Sequence, residues 1–112
     1  FAFADGQQAL LNSGSLIDEV SVIGGGSKSS LWGKILASVL NRPLTYREGG
    51  EVGPAFGAAR LARIGIEKLS ASNVCNSSKV KLIINPDKVM QKYYRVQYKK
   101  YQDIYQSIKE HF

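Results

Sequence analysis

The apolar positions along the chain change period several times, and each change marks an element. Phe3, Leu10 and Leu11 stand among polar Gln7 and Gln8 in a helical pattern over Phe1 to Asn12, which ends where Asn12-Ser13-Gly14 supplies a residue tolerant of positive φ. Val20, Val22 and Ile23 make Glu19 to Ile23 a β-branched run bounded by glycine, which predicts a buried strand. Leu31, Trp32, Ile35, Leu36, Val39 and Leu40 then recur at helical spacing, predicting a helix that turns this face to a core and ends at Asn41. Leu44 to Arg47 reads as a second short strand, Glu48 to Gly50 as a turn, and Val52 to Ile64 as a helix with Pro54 in its first turn. Strand, helix, strand, helix with short connections predicts an α/β arrangement with parallel pairing.

Beyond that unit the pattern fades. Gly65 to Lys81, rich in serine and asparagine, has no period, and residues 66–81 are expected to form a loop or lid. Asn85-Pro86-Asp87 then predicts the opening of a long C-terminal helix over 86–112, with Asn85 as its N-cap. Met90, Tyr94, Tyr98, Tyr101, Tyr105, Ile108 and Phe112 form one stripe of that helix, expected to dock Tyr101, Tyr105 and Ile108 on the core, while Lys88, Lys92, Lys99 and Lys109 fall mostly on other faces.

Composition narrows the function classes. With 112 residues, residues 1–112 make a single domain or part of one, and a helical pattern already running at Phe1 suggests that something upstream is missing. One cysteine, Cys75, excludes an intramolecular disulfide, and with no apolar run of about 18 residues or charged leader the expectation is a cytoplasmic chain with no membrane contact. The net charge of +6 is uneven: seven basic and six acidic residues precede Lys79, and eight basic and three acidic residues follow from it. The tyrosines and lysines of the tail share one helix rather than a sheet or groove, so nucleic-acid binding is not expected. His111 stands one residue from the end and Cys75 lacks ligand spacing, so no metal is assigned to protein ligands.

The chemistry concentrates at Gly24-Gly25-Gly26. A strand that runs into glycines and then a helix points backbone N–H groups outward with no Cβ to hold a ligand off, which suits a phosphate or a flat ring. A strand-to-helix turn requires one glycine, or two; three in a row exceed that need. Ser27, Ser29 and Ser30 add short donors and acceptors, any of which could instead cap the helix. The Gly-x-x-x-x-Gly-Lys-Ser/Thr string of a P-loop is absent. A dinucleotide fingerprint fits in part: Gly24-x-Gly26 is followed by Ser29, and Glu48 closes the second strand about 20 residues on, where a ribose-binding acid would sit. Gly49-Gly50 is unexplained by that alternative.

The stretch VIGGGSKSSLWGKILASVLNRPLTYREGGEVGPAFGAARLARIG, Val22 to Gly65, resembles the C-terminal domain of the FGGY carbohydrate kinases, and within them the xylulose kinases. Their distinguishing Gly-Gly-x-Val-Gly-Pro-Ala-x-Gly-Ala-Ala run is matched by Gly49, Gly50, Val52, Gly53, Pro54, Ala55, Gly57, Ala58 and Ala59. The first helix and the closing helix also resemble the family's, while Ile66 to Lys81 is individual.

The resemblance implies the C-terminal part of a ribonuclease H-like domain of the actin-like ATPase fold, two of which close on ATP. It implies that Gly24, Gly25 and Gly26 let adenosine approach the backbone, that Ser27 lies beside the nucleotide, and that Ser30 replaces an adenine-contacting asparagine of relatives. Gly49 and Gly50 are the further candidates behind that turn. Magnesium would arrive with the nucleotide. The family's aspartate base, sugar pocket and phosphate-positioning loops belong to upstream sequence, so no catalytic residue is expected here and this chain alone should be inactive. The implied partners are ATP or ADP and an N-terminal sugar-binding domain, with a homodimer left open. D-xylulose phosphorylation to xylulose 5-phosphate is the implied reaction of the complete protein, another pentulose or sugar the alternative. Gly53, Gly57 and Ala58, at helical spacing, are expected to serve close packing, and Trp32 to be a core or interdomain aromatic.

Overall fold

The computed structural model describes residues 1–111. Phe112, the last member of the tail stripe, lies outside them. Helix α1 spans Ala2–Asn12, strand β1 Val20–Val22, helix α2 Ser30–Leu40, strand β2 Leu44–Arg47, helix α3 Pro54–Glu67, the short helix α4 Ala71–Val74, strand β3 Val80–Ile84 and helix α5 Lys88–Ile108. Short 3-10 turns occupy Gly25–Lys28, Gly50–Val52 and Lys109–His111.

The three strands form one sheet in the order β1-β2-β3. β1 and β2 run parallel, pairing Val20 with Leu44 and Val22 with Tyr46, with α2 as the crossover between them. β3 pairs antiparallel with β2 and was not foreseen, because its apolar run follows directly on the serine-rich stretch and directly precedes Asn85-Pro86. The 66–81 stretch is therefore not all loop: α3 extends to Glu67, α4 lies inside it, and its last two residues open β3.

The core is small, and α2 reaches it through its small residues. Ala37 is fully buried and Leu44 is 1% exposed, and with Ala4, Leu40, Tyr46 and Ile84 they make the buried cluster. Gly33 and Ala37, one helical turn apart, let α2 settle on Tyr46 and Ile84. The expected core face is thus corrected: Leu31 and Trp32 point outward and Leu36 and Val39 are only half-buried, because the close approach at Gly33 fixes which side of the helix meets the sheet.

Helix ends follow local chemistry. Asn41 adopts the left-handed conformation at φ 52° to close α2. Asp87, not Asn85, caps α5, its carboxylate accepting from the N–H groups of Val89 and Met90 at 2.9 Å each. Buried Ser38 joins the two helices: its hydroxyl donates to Lys34 O at 2.7 Å and accepts from Asp87 N at 3.0 Å.

The tail stripe docks over its first half alone. Phe1 packs on Tyr94, Tyr98 and Tyr101 with ring centroids 6.2, 5.7 and 5.6 Å apart, and the Tyr98 hydroxyl donates to Asp5 at 2.5 Å. Further along, Tyr101, Tyr105 and Ile108 are 37%, 54% and 41% exposed, which corrects the expectation that they bury against the core. Tyr101 and Tyr105 border Asp5 of α1 across an open hollow with Gln102 and Gln106, and Tyr101 keeps only its tilted ring contact with Phe1 on that helix's side. No residue of α3 is buried, and Phe56, Leu61 and Ile66 are exposed along it.

Candidate functional site

The carboxyl ends of β1 and β2 meet at two glycine turns. In open α/β sheets this is the edge where ligands settle, since the strand ends leave a crevice beneath the following helices. Gly24, at φ 85°, is the one member of the triple glycine that the backbone itself demands. Its N–H donates to Gly50 O at 2.8 Å, which pins the first turn to the second. Gly49, at φ 75°, and Gly53, at φ 57°, are also required by conformation, and a side chain at Gly53 would meet Gly24 Cα at 3.6 Å. That contact is ordinary, and Gly57 faces open space among the described residues, so backbone conformation accounts for Gly53 and the expected close packing accounts for neither glycine.

Gly25 and Gly26 have another character. Both are exposed at the start of a 3-10 turn, where N–H groups have no intrahelical carbonyl to reach. A β-carbon on Gly25 would touch nothing within 4 Å, and one on Gly26 would make ordinary contact with the Trp32 indole at 3.6 Å. Neither sterics nor φ requires a glycine at position 25.

The serines divide their work. Ser29 is the cap of α2, accepting from Trp32 N at 3.2 Å. Ser27 folds back, its N–H and hydroxyl both donating to Gly24 O at 3.0 and 2.7 Å, so its oxygen lone pairs remain for a ligand but its proton does not. Ser30 is exposed at the first position of α2. The turn therefore gathers Gly24, Gly25, Gly26, Ser27 and Ser30 on one edge, with Gly50 directly behind Gly24 and Gly49 beside it.

A cavity of about 340 Å³ opens beside this turn, lined by Ser27, Lys28 and Ser30 together with Tyr46, Arg47, Glu51 and Lys81. The last four were not singled out from the sequence. Arg47 is held by Glu19 at 2.7 Å and by Ser78 O at 2.8 Å. The Ser21 hydroxyl, first, and then Arg47 hold the Glu19 carboxyl below its usual range. Tyr46 forms the floor, with its hydroxyl against Gly33 and without a hydrogen-bond partner among the described residues; desolvation pushes its pKa up, so it stays neutral.

The acids do not converge. Asp5 accepts from Tyr98, Asp87 caps α5 and Asp103 faces Lys99 at 3.7 Å, and among the described residues no three of His, Cys, Asp or Glu come together as a metal site. Cys75 and His111 are exposed, Trp32 is nearly half exposed, and no described helix is long and apolar enough to cross a membrane.

The fold of the chain recurs in solved proteins. A xyloylose kinase from Brucella ovis superposes with a TM-score of 0.79 at 32% identity over 99% of this chain and 23% of its own, and xylulose kinase from Rhodospirillum rubrum with 0.73 at 27% over 97% and 22%. The xylulose kinase of Escherichia coli K12 is 47% identical over 64 residues, 57% of this chain and 13% of that protein. The chain thus spans less than a quarter of the length of these relatives. Its fold is the C-terminal part of a ribonuclease H-like domain of the actin-like ATPase architecture, closed by a long helix. Residues 1–66 match the C-terminal domain of the FGGY family of carbohydrate kinases, and the chain belongs to that family.

Proposed function

We propose that this chain is the nucleotide-binding part of an ATP-dependent pentulose kinase whose complete form phosphorylates D-xylulose to xylulose 5-phosphate in the cytoplasm. The observation that carries the reading is Gly25, a bare, exposed backbone position that neither φ nor a neighbour explains, at the carboxyl ends of two parallel strands. Xylulose kinases among the relatives support the sugar. Adenosine would lie against Gly25 and Gly26 with Ser27 and Ser30 at its edge, and magnesium would come with the phosphates. Family membership favours ATP over the dinucleotide reading, which rested on Glu48.

Phosphoryl transfer depends on positioning and on charge stabilisation around the γ-phosphate. The dispersed acids of this chain supply neither base nor metal ligand, so the chemistry needs an upstream sugar-binding domain. The surface agrees with such a partner: the chain exposes 8334 Å², whereas a compact 12.3 kDa monomer exposes about 6100 Å².

Amide shifts under nucleotide titration test the reading. ATP and ADP should perturb Gly25, Gly26, Ser27 and Ser30 with a dissociation constant near 1 mM, about −4 kcal/mol, as expected for half a site. Gly25→Val should abolish the shifts with the fold intact by circular dichroism, and Glu48→Ala should not. NAD that outcompetes ATP and depends on Glu48 would overturn the assignment.

A further inference from the structure

The cavity beside the glycine turn carries charge that the turn does not use. Four charged side chains line it: Lys28, Arg47, Glu51 and Lys81. Arg47 is spent on Glu19 and on Ser78 O. Lys28 and Lys81 form no ion pair among the described residues, which leaves two cations against Glu51.

Lys81 reaches this place through a defect in the sheet. β2 and β3 pair Tyr46 with Leu82 but Arg47 with Val80, so Lys81 is the extra residue of a β-bulge. A regular ladder would alternate Lys81 to the face opposite Leu82; a bulge breaks that alternation and re-aims a side chain. Lys81 and Leu82 accordingly line the same cavity, together with Tyr46 and Ser27. Residue 81 also lies outside the stretch that matches the family.

We infer that Lys81, with Lys28, reads the phosphate chain of the nucleotide whose adenosine lies on Gly25 and Gly26, and that Glu51 opposes it. The inference rests on the nucleotide reading of the turn. Its chemistry is specific: ammonium groups distinguish ATP from adenosine, because adenosine presents the same ring and ribose without the charge. The two lysines are exposed, so each contributes a modest, salt-screened attraction.

Titrations of this chain with ATP, adenosine and inorganic tripolyphosphate, followed by amide shifts, separate the possibilities. Lys81→Met should weaken ATP about three-fold, the scale of one exposed ion pair, and leave adenosine unchanged. Glu51→Gln should tighten ATP by a similar factor, again without effect on adenosine. Both changes should shrink as salt rises. Because the second variant must improve binding, a damaged fold cannot mimic it. Equal effects on ATP and adenosine, or none on ATP, would overturn the role of Lys81 while leaving the glycine turn as the adenosine site. If ATP and adenosine fail to shift Gly25 and Gly26 but tripolyphosphate binds in a Lys81-dependent way, the nucleotide reading falls and an anion seat stands. If tripolyphosphate fails as well, both fall.

Discussion

Replacing Gly33 with alanine puts one methyl group into the tightest contact between α2 and the sheet. Its β-carbon would overlap the Tyr46 hydroxyl and stand 2.6 Å from Ile84 Cδ1 and 3.3 Å from Tyr46 Cζ. Two effects oppose each other. Alanine is worth about 1 kcal/mol over glycine in a helix interior, whereas overpacking a filled core costs about 1–3 kcal/mol. Tyr46 and Ile84 are both buried and could relieve the overlap only by shifting toward the cavity that they line, so the clash should win by about 1–2 kcal/mol. Each kcal/mol shifts the melting midpoint of a chain this size by about 4–8 °C, so Gly33→Ala should lower it by about 4–16 °C. Adding Tyr46→Phe removes the overlapping hydroxyl, itself buried and without a partner among the described residues, and should restore part of that loss. The four proteins of this double-mutant cycle would be compared by circular dichroism melting at one pH. A Gly33→Ala variant that melts higher than the parent would refute the packing argument; strict additivity of the two changes would show that Tyr46 and residue 33 do not compete for space.

Tyr98, held by desolvation and by Asp5 at a pKa of about 12 against an ordinary 10, gives stability that is complete below pH 10 and lost as pH rises through about 12. The alkaline decline in melting midpoint over that window should therefore be shallower in Tyr98→Phe. Asp87→Ala should cost about 1 kcal/mol in urea unfolding as the α5 cap is lost, and Asn85→Ala much less; equal costs would contradict the cap assignment. Ile108→Asp should change stability by no more than about 0.5 kcal/mol, since the side chain is already 41% exposed, and a large loss in the melting midpoint would mean that the tail docks after all.

How much of this was legible in the sequence depended on range. β1, α2 and β2 announced themselves through local period and the turn through three consecutive glycines, but that Gly24 is the one the backbone demands was not legible. Which face of α2 would be buried was not legible: Leu31 and Trp32 have the hydrophobic signal, yet contact is made where Gly33 and Ala37 are small enough for the helix to approach. β3 was hidden because five residues between a polar stretch and a proline carry too little pattern to distinguish a strand from a helix approach. The candidate turn was visible because its residues are contiguous. Lys81 was not, because its place depends on a register slip against β2, a relation between segments more than 30 residues apart that no local window contains.

That slip also makes the two margins of the sheet unlike. On the β3 side the ladder is broken by the bulge at Lys81, between Val80 and Leu82, with Lys79 close by, so an incoming strand would meet irregular pairing and positive charge. On the β1 side Val20–Val22 has, among the described residues, a neighbour on one flank only, and the lining of the adjoining hollow includes Phe3, Leu10, Ile17 and Leu40. The β1 margin is therefore the side on which a further strand would find regular backbone partners, and the β3 margin the side on which it would not.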